Sequence, residues 1–169
     1  MRVMVRRNGR AVYPASTQRP LTSTAPRPPA AVMLFDAAAQ LHTLALDFDT
    51  AKGTRELVAR DAAEALQLLS EAGLLPWADA GPTGGRHVYA RLPHPRPAAE
   101  VARLAAALSA RWDTLDVSPL LNPTGGCIRP AGSAHKTAGF QRLTSPLEYV
   151  CRAVAHIPTP QAWEALWAV

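Results

Sequence analysis

The chain has 169 residues, 48% hydrophobic and 18% charged, with a formal net charge of +5 at pH 7. That is enough apolar material for one domain, or for two small lobes sharing a core. No run approaches the ~20 apolar residues of a membrane span, and the basic N-terminus lacks the apolar core of a secretory signal. The two cysteines, Cys127 and Cys151, have no metal-finger spacing and point to a reduced, cytoplasmic chain.

Residues 1–31 are rich in Pro, Arg, Ser and Thr. They contain Arg2, Arg6, Arg7, Arg10, Arg19 and Arg27 and no acid. This segment reads as flexible or extended, a basic arm able to touch phosphates, with Arg2-Val3-Met4-Val5 able to pair as an edge strand. The remainder, 32–169, is close to neutral and reads as the folded domain. Only Lys52 and Lys136 are lysines, so the arginine content reflects in part a GC-rich coding bias.

The pattern predicts a short helix over 31–41 and then a strand over 42–49. In that strand Leu44, Leu46 and Phe48 fall on one face, and Ala45, Asp47 and Asp49 on the other. At ~3.3 Å rise per residue the two aspartate Cα atoms lie roughly 6–7 Å apart, close enough to converge on a divalent cation. A loop over 50–54 ends at Thr54, a helix cap. Helical spacing follows over 55–73, with Val58, Ala62, Ala65, Leu66 and Leu69 on one side and Gly73 at the end.

Strands are predicted over 77–80 and 87–92, separated by Pro82-Thr83-Gly84-Gly85. In the second strand His87, Tyr89 and Arg91 oppose Val88, Ala90 and Leu92. The glycines let backbone amides approach an anion, with His87 fixed just beyond. Pro97 opens a second helix running to about Trp112. Leu115-Asp116-Val117 is a short strand with its acid turned away from its apolar neighbours.

Residues 123–140 form a loop-rich stretch with a short strand near 127–129. Arg129, Ser133, His135 and Lys136, all donors suited to phosphate, crowd within it. A strand over 140–143 and a helix over 160–167 complete the chain. The halt at Val169 points to a longer parent protein. The element order is mixed α/β, or α+β. There is no Walker-type phosphate loop and no serine nucleophile elbow.

Asp47-Phe48-Asp49, Gly84-Gly85-Arg86-His87, Leu115-Asp116 and the run from Arg129 to Lys136 together resemble the archaeo-eukaryotic primase superfamily. The likeness is to the primase–polymerase domains of bacterial plasmids and phages, and covers roughly residues 32–150. It implies an RNA-recognition-motif-like catalytic sheet with an additional small α/β unit, in a two-lobed architecture. It implies template-directed nucleotidyl transfer from NTPs or dNTPs onto a 3′-hydroxyl in DNA replication. Asp47, Asp49 and Asp116 would be catalytic and hold Mg²⁺ or Mn²⁺. Gly85, His87, Arg129, Ser133, His135 and Lys136 would bind the nucleotide. Single-stranded DNA template is the implied partner, with a helicase or helical domain in cis or in trans. A non-catalytic nucleic-acid-binding module and a metal-dependent nuclease are the competing readings. Retention of three acids disfavours the first, because phosphate binding gains nothing from negative charge.

Overall fold

The computed structural model describes residues 1–21 and 28–167. The elements are β1 (Arg2–Val3), β2 (Val5–Arg7), β3 (Arg10–Val12), β4 (Ala30–Met33), β5 (Gln40–Phe48), α1 (Arg55–Glu71), β6 (Trp77–Ala80), β7 (Arg86–Pro97), α2 (Ala98–Ser109), β8 (Leu115–Asp116), β9 (Cys127–Ile128), β10 (Arg142–Leu143), α3 (Leu147–Ala155) and α4 (Pro160–Ala165). All strand pairs are antiparallel. The fold is α+β.

The central sheet has the order β10-β6-β7-β5-β8. One face carries Leu44, Leu46 and Phe48 of β5 and Val88, Ala90 and Leu92 of β7. Against it pack Val58, Ala62, Ala65 and Leu69 of α1, Val101, Leu104, Ala105 and Leu108 of α2, and Trp163 of α4. Burying that many aliphatic side chains, each worth about 1.5–3 kcal/mol, makes this layer the main source of stability. Thr54 caps α1 by accepting from the Leu57 amide.

The other face is covered only in part, by a second sheet of order β1-β4-β9. Ile128 of β9 and Leu34 lie over Ala45, Tyr89 and Trp77 there. Trp77 stacks on Tyr89 with ring centroids 5.7 Å apart. Elsewhere on that face Gln141 lies against Asp79 and His87 and α3 meets Arg91, while Asp47 and Asp116 stay partly exposed.

Three sequence expectations are corrected. No helix forms over 31–41. Ala30–Met33 is strand β4, and the chain then turns sharply, with Ala39 at φ 56° and Asp36 Oδ1 accepting from the Ala38 and Gln40 amides. Pairing with β1 and β9 on either side outweighs the helical preference of the alanines. The N-terminal segment is not loose chain over its described residues. Asn8 and Gly9, at φ 49° and 77°, close a two-residue hairpin between β2 and β3, and β1 pairs with β4. Residues 22–27 of that segment lie outside the described residues.

Third, β7 runs on to Pro97, five residues past the predicted end. A register break between Leu41 and Thr43 accommodates prolines that cannot donate to the ladder. Beyond these three, α3 is an element for which the sequence reading made no assignment. Its last carbonyls, of Val154 and Ala155, accept from Arg91 Nη1. Among the described residues no helix is long and apolar enough to cross a membrane.

Candidate active site

The sheet register builds the site. Asp47 on β5 is directly opposite His87 on β7 and Asp116 on β8, and His87 is directly opposite Asp79 on β6. Residues directly opposite one another in a ladder project to the same face. Asp79, His87, Asp47 and Asp116 therefore form one ionisable rung across four strands, on the face away from the helices. The next rung on that face is Trp77, Tyr89 and Ala45, which β9 covers. The boundary between wet and dry on this face is thus set by one step of two residues along each strand.

Burial grades along the rung. Asp79 is wholly buried and His87 is 4% exposed. The Asp47 and Asp116 side chains are 26% and 30% exposed. A buried carboxylate requires partners. Asp79 has three: His87 Nδ1 at 2.8 Å from Oδ1, Gln141 Nε2 donating to Oδ1 at 2.7 Å, and the Tyr89 hydroxyl donating to Oδ2 at 2.8 Å.

His87 Nε2 points the other way, 3.4 Å from Asp47 Oδ1. Burial alone would pull the imidazole pKa down. Hydrogen bonding to Asp47 and Asp79 and the charge of both outweigh that and raise it to about 9. His87 is therefore an imidazolium at neutral pH. Burial, followed by the Asp79 charge, pushes the Tyr89 hydroxyl well above its ordinary pKa, so it stays protonated and a donor.

Past the end of β5, Asp49 donates its amide to the Thr114 carbonyl, and its Oδ1 accepts from the Ala51 amide. Asp116 accepts from the Ser118 amide at 3.1 Å and hydroxyl at 2.9 Å. Lys52 Nζ donates to the Leu115 carbonyl at 2.9 Å and lies 3.9 Å from Asp116 Oδ1. Among the described residues it is the counter-charge at ion-pair distance from Asp116, as His87 is for Asp47.

A cleft of about 540 Å³ opens over this end of the sheet. Asp47, Asp49, Asp116 and His87 line it together with Arg129, His135 and Lys136 of the segment after β9, and Gly85 and Thr83 line it too. At Gly85 a Cβ would stand 3.4 Å from the Phe48 carbonyl, and Gly84 holds φ 99°, so the turn brings bare backbone to the rim. Among the described residues Arg129 Nε is buried and has no hydrogen-bond partner. His135 Nδ1 accepts from the Thr137 amide, which leaves its proton on Nε2. Burial, then the Arg129 and Lys136 charges, lowers its pKa and keeps it neutral.

Of the nucleotide-binding residues expected from sequence, Gly85, His87, Arg129, His135 and Lys136 meet in the cleft. Ser133 does not. Its hydroxyl donates to the Ala30 carbonyl at 2.7 Å and accepts from the Ala30 amide at 3.2 Å, fastening the loop to β4. Asp79 and Gln141 are functional candidates that the sequence reading passed over. A signal existed for Asp79: in Trp77-Ala78-Asp79-Ala80 the buried Ala78 puts Asp79 on the face of His87. For Gln141, 54 residues from His87, there was none.

The donor set suits a hard divalent cation: three carboxylates lining one cleft, all oxygen donors. Hydrogen bonds from Ser118 and Ala51 use only part of the acceptor capacity of Asp116 and Asp49. Among the described residues no three His, Cys, Asp or Glu side chains already stand at metal-binding distance, so the fit lies in donor type and common face.

The chain has no match among protein-family models, curated proteins or solved structures. What it does rests on the cleft itself.

Proposed function

We propose that the cleft is a nucleotidyl-transfer site and that the chain is a primase–polymerase-type catalytic domain. The observation that carries this reading is one cleft lined by carboxylates and cations together. Asp47 and the directly opposite Asp116, with Asp49, share it with Arg129 and Lys136. Phosphate binding alone does not call for the acids, and cation binding alone does not call for the bases. A triphosphate with its divalent counter-ions calls for both.

The topology supports the same reading. β5-α1-β6-β7-α2-β8 is a β-α-β-β-α-β unit with spatial order β6-β7-β5-β8. That is the strand order of an RNA-recognition-motif-like sheet, and β1-β4-β9 would be its smaller second unit.

In this proposal Arg129 and Lys136 take the triphosphate oxygens, and neutral His135 donates from Nε2. His87, locked by Asp79, presents a fixed positive charge to the same anion. Asp47, Asp49 and Asp116 would hold Mg²⁺ or Mn²⁺, which when bound acidifies the 3′-hydroxyl and offsets charge on the leaving pyrophosphate. The 3′-oxygen forms the new bond to the α-phosphorus as the bond to pyrophosphate breaks. Lys52, near Asp116, limits repulsion between carboxylates before substrate arrives. Template DNA, NTPs or dNTPs, and a helicase or helical domain are the proposed partners.

The test is labelled NTP and dNTP incorporation on single-stranded DNA, with and without primer, in Mg²⁺ or Mn²⁺, beside Asp47→Ala. Incorporation lost in the variant supports the proposal. Shortened DNA in place of extended DNA would convert it to a nuclease. Neither product from folded protein would sink it.

A further inference from the structure

The hairpin of β2 and β3 carries a charge arrangement that folding does not explain. Arg7 and Arg10 are direct cross-strand partners on either side of the Asn8-Gly9 turn, and Arg6 precedes them; all three are exposed. Like charges directly opposite in a ladder destabilise it, and a lone two-stranded hairpin has little stability to spare. Among the described residues none of the three has a carboxylate at ion-pair distance. The hairpin is also fastened to the cleft. Arg6 Nη2 donates to the carbonyl of Lys136 at 3.3 Å, and its Nη1 to the Gly9 carbonyl at 3.1 Å. Lys136 lines the cleft.

We infer that this hairpin is a backbone-binding arm for single-stranded nucleic acid, with Arg7 and Arg10 taking successive phosphates of a strand that passes over Lys136. The ligand class rests on the nucleotidyl-transfer reading of the cleft; the arm itself rests on the unneutralised arginine pair and the Arg6–Lys136 contact. The turn sets the two residues directly opposite one another, so a phosphate chain meets two cations carried side by side. The repulsion that weakens the free hairpin is relieved when an anion lies between them.

The probe is a fluorescently labelled oligo(dT), titrated by anisotropy over a series of KCl concentrations in EDTA. Wild type is compared with Arg7→Ser/Arg10→Ser and with Arg10→Glu, which converts the repulsive pair into an attractive one. Two lost phosphate contacts should reduce the slope of log K against log salt by about 1.4 for a single strand. Melting temperature should hold or rise in both variants, and affinity for manganese-bound ATP in the cleft should be unchanged. An unaltered slope in the folded variants would overturn the inference. So would loss of ATP binding, which would make the hairpin a support for Lys136 instead of a strand contact. Incorporation measured on the same proteins separates the two readings. Strand binding with the altered slope but no incorporation by wild type retains the arm and removes the polymerase; incorporation with an unaltered slope does the reverse.

Discussion

His87 lies between two carboxylates of different standing: its Nδ1 is 2.8 Å from the fully buried Asp79, and its Nε2 is 3.4 Å from the half-open Asp47. One ring nitrogen is committed to the protein and the other to the cleft. With Tyr89 and Gln141 also donating to Asp79, the imidazole has no freedom to flip or withdraw. The inner carboxylate thus positions the cation that the proposed reaction would use.

Removing Asp79 should therefore be a severe change. Asp79→Ala strands a buried imidazolium, a phenol and an amide at once, and should cost about 3–5 kcal/mol of stability, the range for breaking a buried ion pair. Asp79→Asn keeps one acceptor and should cost less. In Asp79→Asn, NMR titration of the His87 ring should show its pKa well below that of wild type. An unchanged ring pKa would rule out the positioning role.

The outer acids should behave in the opposite way. Asp47 and Asp116 are like charges directly opposite, a pairing that opposes folding by up to about 1 kcal/mol. Asp116→Asn should leave the metal-free protein as stable or slightly more stable while abolishing nucleotide incorporation. Denaturant melts in EDTA beside an incorporation assay check both halves. A variant that is less stable yet still active would refute the assignment.

The contrast between inner and outer acids also shows what sequence could and could not convey. The alternation in 42–49 and 87–92 placed Asp47 and His87 on the open face, because period-two burial is local information. Which strands became neighbours was not local. The Asp79–His87–Asp47–Asp116 rung depends on a strand order that no single segment encodes. Ser133 was misplaced for the same reason. Its neighbours in sequence are phosphate donors, but its neighbour in space is the Ala30 backbone. The 31–41 segment misled because alanine-rich composition favours helix in isolation, whereas two flanking strands and an Asp36 turn decide its structure.

The His87 charge predicts a pH window for stability. Its folded-state pKa is raised from 6.5 to about 9, so its contribution is fully present below pH 6.5 and is lost as pH rises through 9. A shift of that size corresponds to on the order of 3 kcal/mol. In EDTA, the stability gap between wild type and His87→Asn should be widest near pH 6.5 and shrink towards pH 10. Equal pH profiles for the two proteins would show that the imidazole is not charged in the native state.

Ser133 and Arg129, four residues apart, should separate cleanly. Ser133→Ala removes a hydroxyl that satisfies both backbone groups of Ala30, so it should cost about 1–3 kcal/mol and leave nucleotide affinity near wild type. Arg129→Ala takes away a side chain whose buried Nε has no partner among the described residues, so folding loses no hydrogen bond at that atom, while a triphosphate in the cleft would lose the guanidinium charge. Its nucleotide affinity should fall about 10-fold or more, the equivalent of 1.5–3 kcal/mol for a hydrogen bond to a charged group. Isothermal titration with manganese-bound ATP and denaturant melts on the same two variants decide it. The reverse pattern, with Ser133→Ala losing nucleotide and Arg129→Ala losing stability, would mean that the loop from 129 to 141 faces the cleft with different side chains from those described here.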